Sequence, residues 1–254
     1  MNRLKGKSAI ITGATAGIGY KTAELLGEEG VDLILTGRRK ERLEEIKKDF
    51  EDRLNVSAQI AAFDIQNAEA CREFIESLSK PVDILVNNAG LAKGTDPVYE
   101  ADFDDWNTMI DTNIKGLLYL SRLISPQMKE RNTGHIINVG STAGHESYAG
   151  GVVYSATKHA VKAITEATKK DLHGTEVRVS MVSPGLVETE FSEVRFKGDK
   201  EKATKVYKGM KPLVAQDIAE IIVFVANRPA HVNIMDTIIY PVAQSSATMV
   251  HRNE

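Results

Sequence analysis

The sequence predicts an α/β protein built on a doubly wound sheet of seven parallel strands with helices on both faces. Three observations predict it. Seven short apolar runs alternate with longer stretches of helical periodicity, which is the pattern of strands joined by helical crossovers. Those runs are apolar throughout rather than at every second residue, so both faces of each strand are expected to be covered, as in a parallel sheet. A length of 254 residues, 42% hydrophobic and 26% charged, suits one large domain with a substantial core.

The strands are expected at SAIIT (8–12), DLILT (32–36), SAQIAAF (57–63), DILVN (83–87), HIINV (135–139), VRVSMV (177–182) and TIIY (237–240). Helices are expected over 17–29, 39–53, 67–79, 102–130, 151–173 and 214–227, each returning the chain by a right-handed crossover. No linker or repeat interrupts the pattern, and a single domain over 1–254 is expected. The lysine-rich segment 188–211, with Gly198 and Gly209, falls between the sixth strand and the last helix. It reads as an inserted mobile lid, the alternative being a solvated pair of charged helices. The tail 241–254, with His251 and Arg252, either reaches a neighbouring subunit's site or frays into solvent.

A formal net charge of −3 gives no general attraction to nucleic acid or to an anionic membrane surface, so any anion site must be local. No stretch approaches the roughly 18 apolar residues of a membrane span, and MNRLKGKSAIITG carries no apolar signal core. A cytoplasmic location is the expectation. The single cysteine, Cys71, cannot pair within the chain and reads as a buried helix residue. Without an HExxH pattern or a His/Cys cluster, no metal site is expected.

The first strand runs into Thr12-Gly13-Ala14-Thr15-Ala16-Gly17-Ile18-Gly19 and then an amphipathic helix. Strand, glycine-rich turn and helix start together make the Rossmann dinucleotide fingerprint. Glycines let the backbone approach a pyrophosphate, and the free N–H groups and dipole of the helix start stabilise the anion. Gly13, Thr15, Ala16, Gly17, Ile18 and Gly19 are therefore candidate cofactor residues. At the end of the second strand an NAD site usually places an acidic residue against the ribose 2′-hydroxyl. This chain instead reads Leu35-Thr36-Gly37-Arg38-Arg39. Arg38 and Arg39 can grip a 2′-phosphate with paired charge-assisted hydrogen bonds, which favours NADP(H). The alternative is that both arginines simply begin a charged surface helix.

Tyr154 and Lys158 stand four apart in a helical pattern and so share one face, one turn from each other. An ammonium beside a phenol stabilises the phenolate and lowers the phenol pKa, which is how tyrosine becomes usable as an acid/base near neutrality. Such a pair is common by chance. The order TGATAGIG, NNAG (87–90), Asn113, Ser141, the YSATK pair and Pro184-Gly185 resembles the short-chain dehydrogenases/reductases along essentially the whole chain.

The resemblance implies a homotetramer and an oxidoreductase acting between an alcohol and a carbonyl. It makes Tyr154 the proton donor in reduction and acceptor in oxidation, with Ser141 hydrogen-bonded to the substrate oxygen. Lys158 then assists the tyrosine and holds the nicotinamide ribose, while Asn113 holds a water linking Lys158 to solvent. It further assigns Asp64 and Ile65 to the adenine and Asn88, Ala89 and Gly90 to the cofactor, although NNAG could equally serve the central sheet. Pro184, Gly185, Val187 and Thr189 are expected along the nicotinamide.

The stretches PGLVETEFSEVRFKGD and YPVAQSSATMVHR, with GSTAGHESYAGG, resemble more narrowly the NADP-dependent 3-hydroxy acid dehydrogenases. That subgroup implies small hydroxy acids such as serine, allo-threonine or 3-hydroxypropionate, or the corresponding semialdehydes, as substrates. Such a substrate carries a carboxylate, and Arg195 in the inserted segment is the candidate to hold it, the alternative being a structural salt bridge. His145 and Tyr148, just after Ser141, are expected to border the substrate. Rival functions are another reductase of the same superfamily, of the 3-oxoacyl carrier-protein, polyol or steroid type, and a non-catalytic NADP sensor.

Overall fold

The computed structural model describes residues 2–253; residues 1 and 254, the ends of the expected domain and tail, lie outside the described residues. The strands are β1 (Ser8–Thr12), β2 (Asp32–Gly37), β3 (Ala58–Ala62), β4 (Ile84–Asn87), β5 (Gly134–Val139), β6 (Val177–Pro184), a short ribbon of β7 (Val187–Glu188) and β8 (Leu213–Val214), and β9 (Asp236–Ile239). Seven of them form one parallel sheet in the order β3-β2-β1-β4-β5-β6-β9. The chain order reverses between β1 and β4, so their carboxyl ends border the crevice where such sheets bind ligands.

Each central strand feeds two cores, which is why its sequence is apolar at every position. On β1, Ala9 and Ile11 pack on one face with α1 (Gly17–Glu28), α2 (Lys40–Leu54) and α9 (Ala215–Ala226). Ile10 packs on the other with α3 (Ala68–Glu76) and α5 (Leu117–Glu130), where Cys71 is fully buried. Ile84 and Val86 of β4 divide from Leu85 in the same way. This two-sided burial is the parallel-sheet condition the uninterrupted apolar runs imply. Among the described residues, no helix is long and apolar enough to cross a membrane.

Two expectations need correction. The helix expected over 102–130 is α4 (Phe103–Ile110), a π-helical segment Asp111–Gly116, and then α5. The widened turn brings Asn113 to the backbone of Leu91, and Gly116 lets this segment approach Ile65, whose side chain would lie 2.9 Å from an added Cβ. The segment 188–211 carries two short charged helices, the second of them mostly exposed. It holds α7 (Phe191–Arg195) and α8 (Lys200–Lys205) over the carboxyl edge of the sheet, its Thr189, Phe191, Ser192 and Arg195 lining the central cleft.

The tail does not fray. Asn253 N donates to Gly209 O at 2.7 Å, Arg252 Nη2 to Val206 O at 3.0 Å and Ala247 N to Glu146 Oε2 at 3.0 Å, which straps the tail across its own chain. The sheet and its crossovers thus set a rigid floor, and segments 187–214 and 241–253 roof it.

Candidate active site

A cleft of about 520 Å³ opens at the carboxyl ends of β1, β2, β4, β5 and β6. Its first half follows from the turn after β1. Gly13 and Gly17 both adopt positive φ, 65° and 53°, conformations that glycine alone takes without strain. An added Cβ at Gly13 would lie 3.0 Å from Asn88 Nδ2, and one at Gly17 3.3 Å from Thr189, so side chains there would narrow the cradle. The N-cap of α1 is Ala16, with no side-chain acceptor and no acidic residue in the first turn. The first N–H groups of α1 therefore face the cleft uncapped, as an anion-binding helix start requires.

Arg38 and Arg39 both line the far end of this cradle. Arg39 donates from Nε and Nη2 to Thr15 Oγ1 at 3.1 and 2.8 Å, and its Nη1 meets Glu190 Oε2 at 3.0 Å. Arg38 is exposed and has no ion pair among the described residues. Two guanidinium groups and no carboxylate at the end of β2 suit a phosphate better than a ribose diol. Asp64 and Ile65 line the same end, and Pro184, Gly185, Val187 and Thr189 line the opposite wall.

The NNAG segment divides between the sheet and the cleft. Asn87 is structural, its amide donating to Ser121 Oγ at 3.0 Å and Asn138 Oδ1 at 2.9 Å inside the sheet. Asn88, Ala89 and Gly90 line the cleft, held there as Asn88 N and Ala89 N donate to Thr12 Oγ1 at 2.9 and 2.8 Å. Gly19, by contrast, lies outside the lining: an added Cβ would sit 2.3 Å from Gly13 O, so this glycine allows α1 to pack on the β1 turn rather than a ligand to approach.

The second half of the cleft is built on α6 (Val152–Asp171) and the turn after β5. Ser141 caps a single 3₁₀ turn, Thr142–Gly144, its Oγ accepting from Ala143 N at 3.1 Å. Gly144 lets this turn rest on α6, since an added Cβ would lie 2.6 Å from Lys158 O. Its effect is to set the Ser141 hydroxyl beside the Tyr154 phenol on the cleft wall. Lys158 Nζ lies 6.0 Å from the Tyr154 ring centroid and donates to Val139 O at 2.9 Å.

Both partners are buried, and burial dominates their titration. The Tyr154 phenol is pushed up to about 12 by desolvation, with the Ser141 hydroxyl and the Arg195 cation pulling the other way. Lys158 is pulled down to about 8, also by desolvation. The penalty that burial places on a phenolate thus exceeds the help of Ser141 and Arg195.

Asn113 sits behind this pair. Its Nδ2 donates to Leu91 O at 2.8 Å and Thr157 Oγ1 at 3.1 Å, and its Oδ1 accepts from Leu91 N at 2.9 Å. Gly90 separates Asn113 Oδ1 from Lys158 Nζ, and a Cβ there would come within 3.2 and 3.6 Å of them.

Arg195 overlooks the phenol. Its guanidinium carbon is 5.3 Å from the Tyr154 ring centroid and 5.6 Å from that of Tyr148, whose hydroxyl it also contacts. Arg195 has no carboxylate partner among the described residues, and its Nε is buried with no acceptor. His145 does not join this group. Its Nε2 lies 3.2 Å from Ser183 Oγ and 3.3 Å from Asp236 Oδ2, so the ring fastens the serine turn to the ends of β6 and β9 instead of bordering the substrate space.

Two lining residues left no signal in the sequence. Gln244, buried in the tail, accepts from Leu186 N at 2.9 Å through Oε1 and braces the Pro184–Gly185 bend. Phe191 packs its ring tilted against Tyr154 from α7, with centroids 5.7 Å apart. A lone glutamine among small polar residues and a phenylalanine in a charged segment carry no pattern. Among the described residues no group of three or more His, Cys, Asp or Glu could hold a metal.

Comparison with known proteins accords with this geometry. The family model for short chain dehydrogenases matches residues 7–200. The chain is 50% identical over 249 residues to the NADP-dependent 3-hydroxy acid dehydrogenase YdfG of Salmonella typhi, covering 96% of this chain and 99% of that one. It is 46% identical over 258 aligned positions to an NADP-dependent 3-hydroxy acid dehydrogenase of Schizosaccharomyces pombe, covering 100% of both. Among solved structures, the closed form of a serine dehydrogenase complexed with NADP+ superposes with a TM-score of 0.91 at 49% identity, covering 97% of this chain and 100% of that one. A nucleotide cradle and a serine, tyrosine and lysine on one sheet edge, together with these matches, place the chain in the short chain dehydrogenase family.

Proposed function

We propose that the chain is an NADP(H)-dependent dehydrogenase of small 3-hydroxy acids, interconverting them with their semialdehydes. The observation that carries the substrate class is Arg195, a half-buried guanidinium beside the acid/base tyrosine whose Nε has no acceptor. A buried donor without a partner is costly, and a carboxylate satisfies a guanidinium with two parallel charge-assisted bonds. The Tyr148 hydroxyl, already in contact with Arg195, sets the orientation of the fork. The names of the relatives, a 3-hydroxy acid dehydrogenase and a serine dehydrogenase, support the same reading.

The nicotinamide supplies hydride when bound, and the rest of the chemistry falls to the chain's own side chains. In reduction the Tyr154 phenol gives its proton to the carbonyl oxygen while the Ser141 hydroxyl hydrogen-bonds that oxygen and stabilises its developing charge. Lys158 stabilises the resulting phenolate and returns a proton to it. Asn113 Oδ1 keeps one lone pair beyond its bond to Leu91, and Gly90 leaves room between that atom and Lys158 Nζ, which supports a water-borne relay there. In oxidation the same steps run backwards. Thr15, the uncapped start of α1 and the two arginines after β2 hold the diphosphate and the 2′-phosphate. A cytoplasmic homotetramer completes the proposal, supported by apolar side chains that stand exposed on α5, α6, α9 and β9: Leu118, Val152, Phe224 and Ile238.

The test compares NADPH-coupled reduction of 3-oxopropanoate with that of propanal, its uncharged analogue, in the native chain and in Arg195→Met. The native chain should prefer the acid. Arg195→Met should lose roughly 10- to 100-fold in kcat/KM on the acid, the worth of a charge-assisted pair, with little change on propanal. Equal losses on both aldehydes would remove the substrate assignment.

A further inference from the structure

Arg195 works only if α7 is held over the cleft, and the structure supplies a fastening that the chemistry itself does not use. Asp105 on α4 carries a carboxylate that is only 8% exposed. Lys197, two residues beyond Arg195, reaches it with Nζ at 2.7 Å, and Lys93 flanks it at 3.6 Å. Alongside, Gly94 N donates to Arg195 O at 2.9 Å, so the backbone of Arg195 is tied to the loop after β4. The two contacts join α4 and its preceding loop to the end of α7.

The backbone at Lys197 is the second observation. α7 ends with Gly198 N donating to Glu193 O at 2.8 Å and Lys197 N to Val194 O at 3.2 Å, the paired bonds of a Schellman stop. The residue at the centre of that stop takes the left-handed conformation and is by default glycine, which has no Cβ to clash. Here it is Lys197, at φ 54°, although Gly198 follows directly. A lysine in glycine's place is unfavourable for the backbone and is accounted for by where its ammonium goes. The carboxylate of Asp105 in turn raises the Lys197 pKa, keeping the ammonium charged.

We infer that Asp105 and Lys197 are positioning residues for substrate specificity: their ion pair pins the end of α7 to α4 and thereby aims Arg195 at the substrate carboxylate. The inference rests on the proposed role of Arg195. Neither residue touches the reacting atoms, so the pair acts on recognition of the acid rather than on hydride or proton transfer.

The test uses Asp105→Asn, Lys197→Gly and the double variant, with KM and kcat measured for 3-oxopropanoate and propanal. Lys197→Gly keeps the left-handed backbone while removing the ammonium, and Lys93 still flanks Asp105, so it should fold and decides the matter even if Asp105→Asn does not. Each variant should raise KM for the oxo acid roughly tenfold, with kcat within about twofold and propanal kinetics unchanged, because a displaced anchor weakens binding of the charged group alone. The double variant should be no worse than either single one, as for two members of one pair. An unchanged KM for the oxo acid in Lys197→Gly, or equal losses on both aldehydes, overturns the inference. If the native chain prefers the acid and Arg195→Met abolishes that preference while Lys197→Gly does not alter it, the pinning alone is wrong. If Arg195→Met leaves the preference intact, the reading of Arg195 falls first.

Discussion

Burial pushes the Tyr154 phenol up to about 12 and pulls the Lys158 ammonium down to about 8, so within the pair the first proton lost on raising pH leaves near 8. Such neighbours titrate as a unit, and what matters is whether the pair holds its full complement of protons. Reduction consumes a proton and needs the fully protonated pair; oxidation needs the form that lacks one. On this basis kcat/KM for reduction should be flat below pH 8 and fall about tenfold per unit above it, while that for oxidation rises through the same pH. Profiles from roughly pH 6 to 10 check this, and curves flat through that range in both directions would contradict it. The pair was legible in the sequence because a spacing of four fixes two residues on one helical face whatever the tertiary structure. His145 was not. Its ring direction depends on Ser183 and Asp236, from strands that the local sequence does not specify. Nor does the sequence carry the dielectric of the site, which reverses the sign expected for the Tyr154 shift.

At the scale of elements, the strands were legible to within a residue or two, since two-sided burial leaves an unbroken apolar run. The π-helical segment Asp111–Gly116 was not, because the weak helix formers Asp111, Thr112, Asn113 and Gly116 do not say which irregularity they permit, and the contact with Leu91 accompanies the wider turn. The contact explains its place: Asn113 replaces water for both backbone groups of Leu91 while reaching Thr157 on α6. Asn113→Ala should leave the Leu91 N–H and C=O without partners, each at a cost of about 1–3 kcal/mol. For a chain of this size that corresponds to a Tm lower by about 2–4 °C per kcal/mol. Thermal unfolding followed by circular dichroism measures it, and an unchanged Tm would show that the segment does not depend on this side chain. The β7–β8 ribbon and the tail strap were invisible for a related reason. Two-residue strands and main-chain bonds such as Asn253 N to Gly209 O carry no residue pattern.

Across the whole molecule the sheet order divides the labour. β1 and β2, on one side of the reversal, supply the cradle of Gly13, Thr15, Arg38 and Arg39; β5, β6 and α6, on the other, supply Ser141, Tyr154 and Lys158. The cleft gathers cations from a chain whose formal net charge is −3, so its anion selectivity is a local arrangement and not a property of the surface. A separation of this kind makes binding and chemistry independent to first order. Titrating Tyr154→Phe with NADPH and measuring its turnover of 3-oxopropanoate tests that division and the assignment of the acid together. A Kd for NADPH within about twofold of the native chain is expected, with a kcat lower by about 10²–10⁴-fold, the usual worth of a positioned proton donor. A variant that binds NADPH equally well and turns over at the native rate would contradict it.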